Sequence, residues 1–157
     1  MIQDAEVSTA IRKSWETVRI VEAQIDANLN FSLFSLVPAM SGFCVVPESL
    51  LLVFAISVLE DALRELVKEG KISCSSAKLK KIMLESKASL LWQDFDTVDE
   101  GRELRNRIAH EKKFLEQHDH HKYLNAIENE LVAWGILEYR IQGSYKITFG
   151  GPQEPQA

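Results

Sequence analysis

The residues best suited to chemistry lie near the middle of the second half of the chain. Arg105, Asn106 and His110 occur within six positions of the sequence. Histidine has an unperturbed pKa of about 6.5, so it can give or take a proton near neutral pH. Arginine binds phosphate oxygens with a fork of donors, and asparagine can orient either group or donate to an oxyanion. Together these residue types indicate chemistry at a phosphate.

A helix over this stretch would place the polar residues on one side. At 100° per residue, Leu104 and Ile108 face the core. Asn106 and His110 then stack one turn apart on the opposite face, and Arg102 lies one turn before Asn106. The alternative is an ordinary solvated helix face, since charged residues opposite an apolar stripe are the usual arrangement.

The order of these residues resembles a known signature. The segment R-N-R-I-A-H, from Arg105 to His110, fits the R-N-x-x-x-H form found in HEPN domains, a superfamily of all-helical bundles. The similarity of layout extends from about Asp4 to Trp134 and leaves out the end of the chain. Carried over by position, Arg105 and His110 match the catalytic pair, and Asn106 matches the supporting polar position.

The resemblance implies a metal-independent endoribonuclease without a cofactor. Many HEPN proteins are toxins or defence effectors that are opposed by an antitoxin, and they commonly form homodimers in which two motifs line one cleft. RNA supplies its own nucleophile, the 2′-OH, so a histidine as acid or base and an arginine at the phosphate suffice. A homodimer would supply a second copy of His110 for the second proton transfer. In one toxin class a tyrosine two positions after the histidine is modified by a partner nucleotidyltransferase, but here that residue is Lys112.

Two further residues are candidates for a supporting role. Arg102 is predicted on the same face as Asn106, and Glu60 lies in an otherwise apolar helix. A buried acid needs a partner, for which Arg105 or Arg102 would serve. The alternative is that Glu60 and its neighbour Asp61 both face solvent.

The run His118 to His121, H-D-H-H, has the residue types of a metal site. No CxxC or HExxH spacing accompanies it. Asp119 is more simply the N-cap of a helix, so we predict no metal site here.

The elements that must position these residues follow from hydrophobic periodicity. Ile11, Trp15, Val18, Val21 or Glu22, and Ile25 recur at the spacing of one buried helix face. The predicted helices run from about Asp4 to Leu29, Pro47 to Gly70, Ser76 to Leu91, Asp96 to Phe114, and Asp119 to Trp134. The segment Asn30 to Val46 is left open, since the first helix could extend to Pro38 before a loop. The second helix, apolar all round in its first half, should be central. After it, alternation over residues 136–149 predicts a β-hairpin.

The predicted fold is therefore all-α, a HEPN-like bundle of four or five helices with a C-terminal hairpin. Residues 1–149 form a single domain, and residues 150–157 form a flexible tail. Prolines and Gly42 interrupt the apolar stretch Leu29 to Leu59, so no membrane span is expected. The absence of a signal segment and of paired cysteines predicts a cytoplasmic location.

The charge of the chain limits how it can bind nucleic acid. The formal net charge is −5, and the segment from Asp99 to Lys113 carries five basic residues against four acids. Any contact with RNA must therefore be local. Two alternatives remain open, a non-catalytic HEPN-like interaction or RNA-binding module and a winged-helix DNA-binding regulator. The second is suggested by the final helix and hairpin, but Lys122 is the one lysine or arginine from Glu116 to Trp134, against four acids.

Overall fold

Five α-helices form the fold in a computed structural model that describes residues 2–34, 41–111, 114 and 119–141, without the side chains of residues 29–34 and 41–45. The helices are α1 (Ala5–Phe34), α2 (Ser41–Lys68), α3 (Leu79–Ser86), α4 (Phe95–Glu111) and α5 (His120–Ala133). No strand occurs in this described part of the chain. The predicted helical bundle is therefore confirmed.

Helix α2 is the central element, as its composition predicts. It packs against each of the other four helices. Leu59, Leu63 and Leu66 are completely or almost completely buried along its second half. The helix is closed by Gly70, whose φ of 73° lets the Lys71 N–H donate to the Leu66 carbonyl at 2.9 Å. Glycine adopts this left-handed conformation without strain, and α2 therefore ends within two residues of the predicted end at Gly70.

The start of α2 differs from the prediction. The helix begins at Ser41, and Pro47 lies inside it instead of at its first turn. Proline removes one backbone donor, but the loss of that single bond does not end the helix here. The N-terminal half of α2 also exposes Val46, Leu50 and Phe54, which recur every four residues and which we call the α2 stripe.

Helix α1 is longer than predicted and buries the expected face. Ile11, Trp15, Val18 and Ile25 are in the core. At the position where Val21 and Glu22 were alternatives, Glu22 is buried and Val21 is partly buried. A carboxylate in a core stripe requires partners, and Glu22 has them in Arg19 of the same helix and in His121 of α5.

Helices α3, α4 and α5 fix the remaining geometry. Helix α3 is shorter than predicted and ends at Ser86, whose hydroxyl donates to the Met83 carbonyl at 2.7 Å and accepts from Trp92 at 3.0 Å. Helices α4 and α5 approach closely at Gly101, where an added Cβ would lie 3.0 Å from the ring of Tyr123.

The first arm of the predicted hairpin forms no strand. The Ile136 carbonyl accepts from Arg12 at 2.9 Å, and the Ile141 N–H donates to Glu128 at 2.8 Å. The side chains of Arg12 and Glu128 therefore bind backbone groups that would otherwise be available to pair two strands. Residues 142–149, the second arm, and residues 150–157 lie outside the described part of the chain, where hairpin and tail stay predictions.

No helix in the described part of the chain combines the length and the apolar character that crossing a membrane requires.

Candidate functional site

Arg105 and Asn106 are in direct contact on α4. The Arg105 Nη1 donates to Asn106 Oδ1 at 3.2 Å, and both side chains are partly exposed. No carboxylate among the described residues pairs with Arg105, and its Nε is buried without a hydrogen-bond partner there. The guanidinium charge is thus held by a neutral amide, which leaves it available to an anionic ligand.

His110 lies in the last turn of α4, one turn after Asn106. Both His110 and the preceding Ala109 are exposed. Because Ala109 has only a methyl side chain, no large group projects from that position beside the imidazole. The predicted trio is therefore on accessible surface: Arg105 and Asn106 are neighbours in the sequence, and His110 follows Asn106 by one helical turn.

Arg102 does not belong to this surface, and its predicted position is wrong. It is 5% exposed, and its Nε binds Asp99 at 2.6 Å while Nη2 binds Glu103 at 3.2 Å. Leu104, which was predicted to face the core, is only partly buried. The buried face of α4 is centred on Val98 and the turn after it, so Arg102 turns inward.

Glu60 also has a different role from the one predicted. Its Oε1 accepts from Arg64 at 2.6 Å, one turn along α2, and contacts neither Arg102 nor Arg105. Arg64 in turn donates to the Ala77 carbonyl at 3.0 Å, which ties α2 to the segment before α3. Asp61 is exposed, as the alternative interpretation expects. The pair serves the fold and lies apart from the trio.

A second polar cluster, which the sequence did not predict, joins α1 to α5 inside the protein. Arg19 is 2% exposed and donates to Glu22 at 2.6 Å and to Glu128 at 2.8 Å. Glu128 also accepts from the indole of Trp15 at 2.9 Å. We call Trp15, Arg19, Glu22 and Glu128 the Arg19 network.

The carboxylates of the Arg19 network stay ionised despite their burial. Burial alone would raise the pKa of Glu128, but the hydrogen bonds and charge of Arg19 and the bond from Trp15 outweigh it and lower that pKa. For Glu22, burial is likewise outweighed, here by His121 and Arg19, and its pKa is lowered. Strong donors thus keep both acids charged in the core.

His121 extends the network toward solvent. Its Nδ1 lies 2.7 Å from Glu22 Oε1, and its Nε2 lies 3.2 Å from Asp26 Oδ1. The hydrogen bonds to Asp26 and Glu22 raise the pKa of His121 to about 10. The imidazole is therefore fixed between two carboxylates, with 41% of its side chain exposed.

His120 lies beside this group but is completely buried. Its Nδ1 is 3.8 Å from Glu48 Oε2, and its ring is 4.0 Å from that of His121. One ligand atom each from Glu22, His120 and His121 lies within 4.8 Å of the others. Asp119 is at the predicted N-cap position of α5 without a side-chain cap bond, and His118 lies outside the described residues. The sequence alone showed neither this convergence nor Glu22 as its third member.

The sequence did contain one signal of the cluster. Arg19 and Glu22 are three positions apart, next to the apolar positions of α1. Charged residues at that spacing within a core stripe indicate a buried pair, although not its partner more than a hundred positions later.

The chain was compared with protein-family models, curated proteins and solved structures, and no match was found in any of the three.

Proposed function

We propose that this chain is a HEPN-like endoribonuclease that cleaves RNA without a metal ion, in a toxin or defence setting. The observation that supports the proposal is the arrangement on α4. Arg105 carries a charge that no described carboxylate neutralises, and His110 is exposed beyond it on the same helix. An arginine and a histidine so placed can act on one phosphodiester.

Each member of the trio has a distinct task. Arg105 binds the phosphate oxygens and stabilises the charge that develops as the 2′-OH attacks phosphorus. His110 transfers a proton to or from the reacting oxygens. Asn106 holds the guanidinium through the 3.2 Å bond and so fixes the direction of its fork. No step of this reaction requires a cofactor.

The proposed enzyme is a homodimer, because one histidine cannot easily be base and acid in the same step. The α2 stripe supports this part of the proposal. Leu50 is 58% exposed at its centre, with Val46 and Phe54 a turn away on either side. A second copy of the chain would cover these apolar side chains. An antitoxin protein would be a further partner.

The winged-helix alternative is less well supported by α5. Lys122 is bound to Glu100 at 2.7 Å, so its charge is already engaged. Glu128 and Glu130 are buried. The helix that should read DNA therefore offers little positive charge to phosphate.

The test is cleavage of labelled single-stranded RNA in excess EDTA. We expect cleavage by the wild type, with 2′,3′-cyclic phosphate ends, and a loss of about 10²–10⁴-fold in His110→Ala. The matched control is Arg107→Ala, which removes an exposed charge of α4 outside the trio and should leave the rate near the wild-type value. Circular dichroism should show both variants folded.

Each other outcome has a clear meaning. RNA binding without cleavage would favour the non-catalytic module, and a salt-dependent shift of duplex DNA would favour the regulator. Equal cleavage by the wild type and His110→Ala would exclude the proposed role of His110.

A further inference from the structure

The polar cluster between α1 and α5 has a geometry that ion pairing alone does not require. Two adjacent histidines each place a ring nitrogen within 4.8 Å of a carboxylate oxygen of Glu22, which belongs to another helix. Here one histidine is completely buried and the other is partly open to solvent, which provides an entry path.

We propose that Glu22, His120 and His121 form a binding site for a divalent transition-metal ion, with zinc as the best fit. Two imidazole nitrogens and one carboxylate oxygen are the donors that zinc accepts, and three protein ligands leave a fourth position for water. Magnesium and calcium, which prefer oxygen donors only, fit this set poorly. The site is separate from the trio on α4 and does not rest on the proposed nuclease activity.

The side chains around these ligands already have the supporting contacts of a metal site. A histidine that binds a metal through one nitrogen usually donates its other N–H to a carboxylate. His121 faces Glu22 with Nδ1 and places Nε2 3.2 Å from Asp26. Glu22 is supported in the same way, because Arg19 binds its Oε2 at 2.6 Å and leaves Oε1 toward His121.

The electrostatic surroundings favour a cation at this point. Four described carboxylates, Glu22, Asp26, Glu48 and Glu128, lie in or next to the cluster. Two arginines among the described residues oppose them, Arg19 at the centre and Arg140, whose Nε is 3.7 Å from Glu128. Carboxylates therefore outnumber arginines in this described part of the protein.

Such an ion would join α1 to α5, since Glu22 belongs to the first helix and both histidines to the last. Its ligands come together only in the folded chain. Binding should therefore stabilise the native state in proportion to the free ion concentration. The expected role is structural, and cleavage of RNA in EDTA is still expected below the unfolding temperature.

The test uses the full chain after removal of metal with a chelator. Calorimetric titration with zinc should give one ion per chain, and cobalt should give the absorption of a site with nitrogen ligands. The thermal midpoint should rise by roughly 5–10 °C when free zinc is about a hundredfold above Kd. Magnesium should have no such effect.

Three variants make the test specific. His121→Ala should weaken zinc binding by more than roughly a hundredfold, which exceeds the usual effect of losing a supporting contact. Asp26→Asn, at a partly exposed position, should weaken it by about 10–100-fold without unfolding the chain. Glu16→Gln changes another carboxylate of α1 outside the cluster and should leave both stoichiometry and affinity unchanged.

Two results would overturn the proposal. One is a wild-type chain that takes up no zinc or cobalt in a one-to-one complex. The other is undiminished affinity in folded His121→Ala and Asp26→Asn, which would assign the zinc to another place on the surface. Neither result bears on the nuclease test, because that assay is run in EDTA and relies on His110.

Discussion

At the scale of single residues, the arginines of α4 differ in what holds them. Arg102 is buried and bound by two acids, whereas Arg105 contacts one neutral amide. An arginine already paired with carboxylates must give up those bonds to bind a phosphate, whereas Arg105 has no carboxylate partner among the described residues. The difference makes Arg105 the better phosphate ligand of the two.

We expect Arg105→Lys to cleave RNA at least about tenfold more slowly than the wild type, although it keeps the positive charge. Lysine is a point charge without the planar fork, so it cannot bind two phosphate oxygens or keep the bond to Asn106 in the same geometry. Single-turnover cleavage with enzyme in excess measures the change directly. Arg107→Lys is the control, and an equal loss in both variants would mean that the fork of Arg105 is unimportant.

At the scale of the helices, the Arg19 network holds α1 against α5. The network replaces apolar packing with charged groups that are out of contact with water, so each group depends on all its partners. Removing the central cation would leave Glu22 and Glu128 close together in the core. Most of the stability lost in such a change would come from leaving these two carboxylates without a cation in the core.

We therefore expect Arg19→Met to lower the free energy of unfolding by about 3–5 kcal/mol. Methionine fills a similar volume but cannot neutralise the two acids. Urea unfolding followed by circular dichroism measures the effect. Lys13→Met, an exposed change on the same helix, should stay within about 0.5 kcal/mol of the wild type. A small effect in Arg19→Met would show that the network contributes little to stability.

The helices themselves were largely predictable from the sequence, and the polar contacts were not. The apolar period of α1 and the glycine after α2 are local signals, and both are confirmed in the structure. Pro47 misled the prediction because proline favours a first turn without excluding a later one. Arg102 is buried, contrary to the prediction, because Leu104 is only partly buried and does not lie at the centre of the buried face of α4. The ion pair of Arg19 with Glu128 could not be predicted from the sequence, since it joins positions that are 109 residues apart.

The buried acids Glu22 and Glu128 link the stability of the whole protein to pH. The pKa of Glu128 is lower in the folded chain than its ordinary value of 4.5, because Arg19 and Trp15 stabilise the charged form more than burial opposes it. A lowered folded-state pKa adds stability above the unfolded-state value. That stability is lost as the pH falls through the folded-state pKa, because the unfolded chain then binds the proton first.

We expect the urea midpoint of the wild type to fall steeply below the ordinary pKa of glutamate. Glu128→Gln should be less stable than the wild type near neutral pH, because glutamine cannot neutralise Arg19. The difference between the two proteins should shrink as the pH falls through that range. Unfolding curves at a series of pH values measure it, and a constant difference would assign the acid sensitivity to other groups.

The same contact between α1 and α5 has a consequence for how the protein is made. Arg19 leaves the ribosome 109 residues before Glu128. At roughly 5–20 residues per second, that interval lasts about 5–20 seconds. Throughout it Arg19 has Glu22 of its own helix but lacks Glu128, and Trp15 lacks its acceptor. The polar contact between α1 and α5 can therefore form only when synthesis is nearly complete.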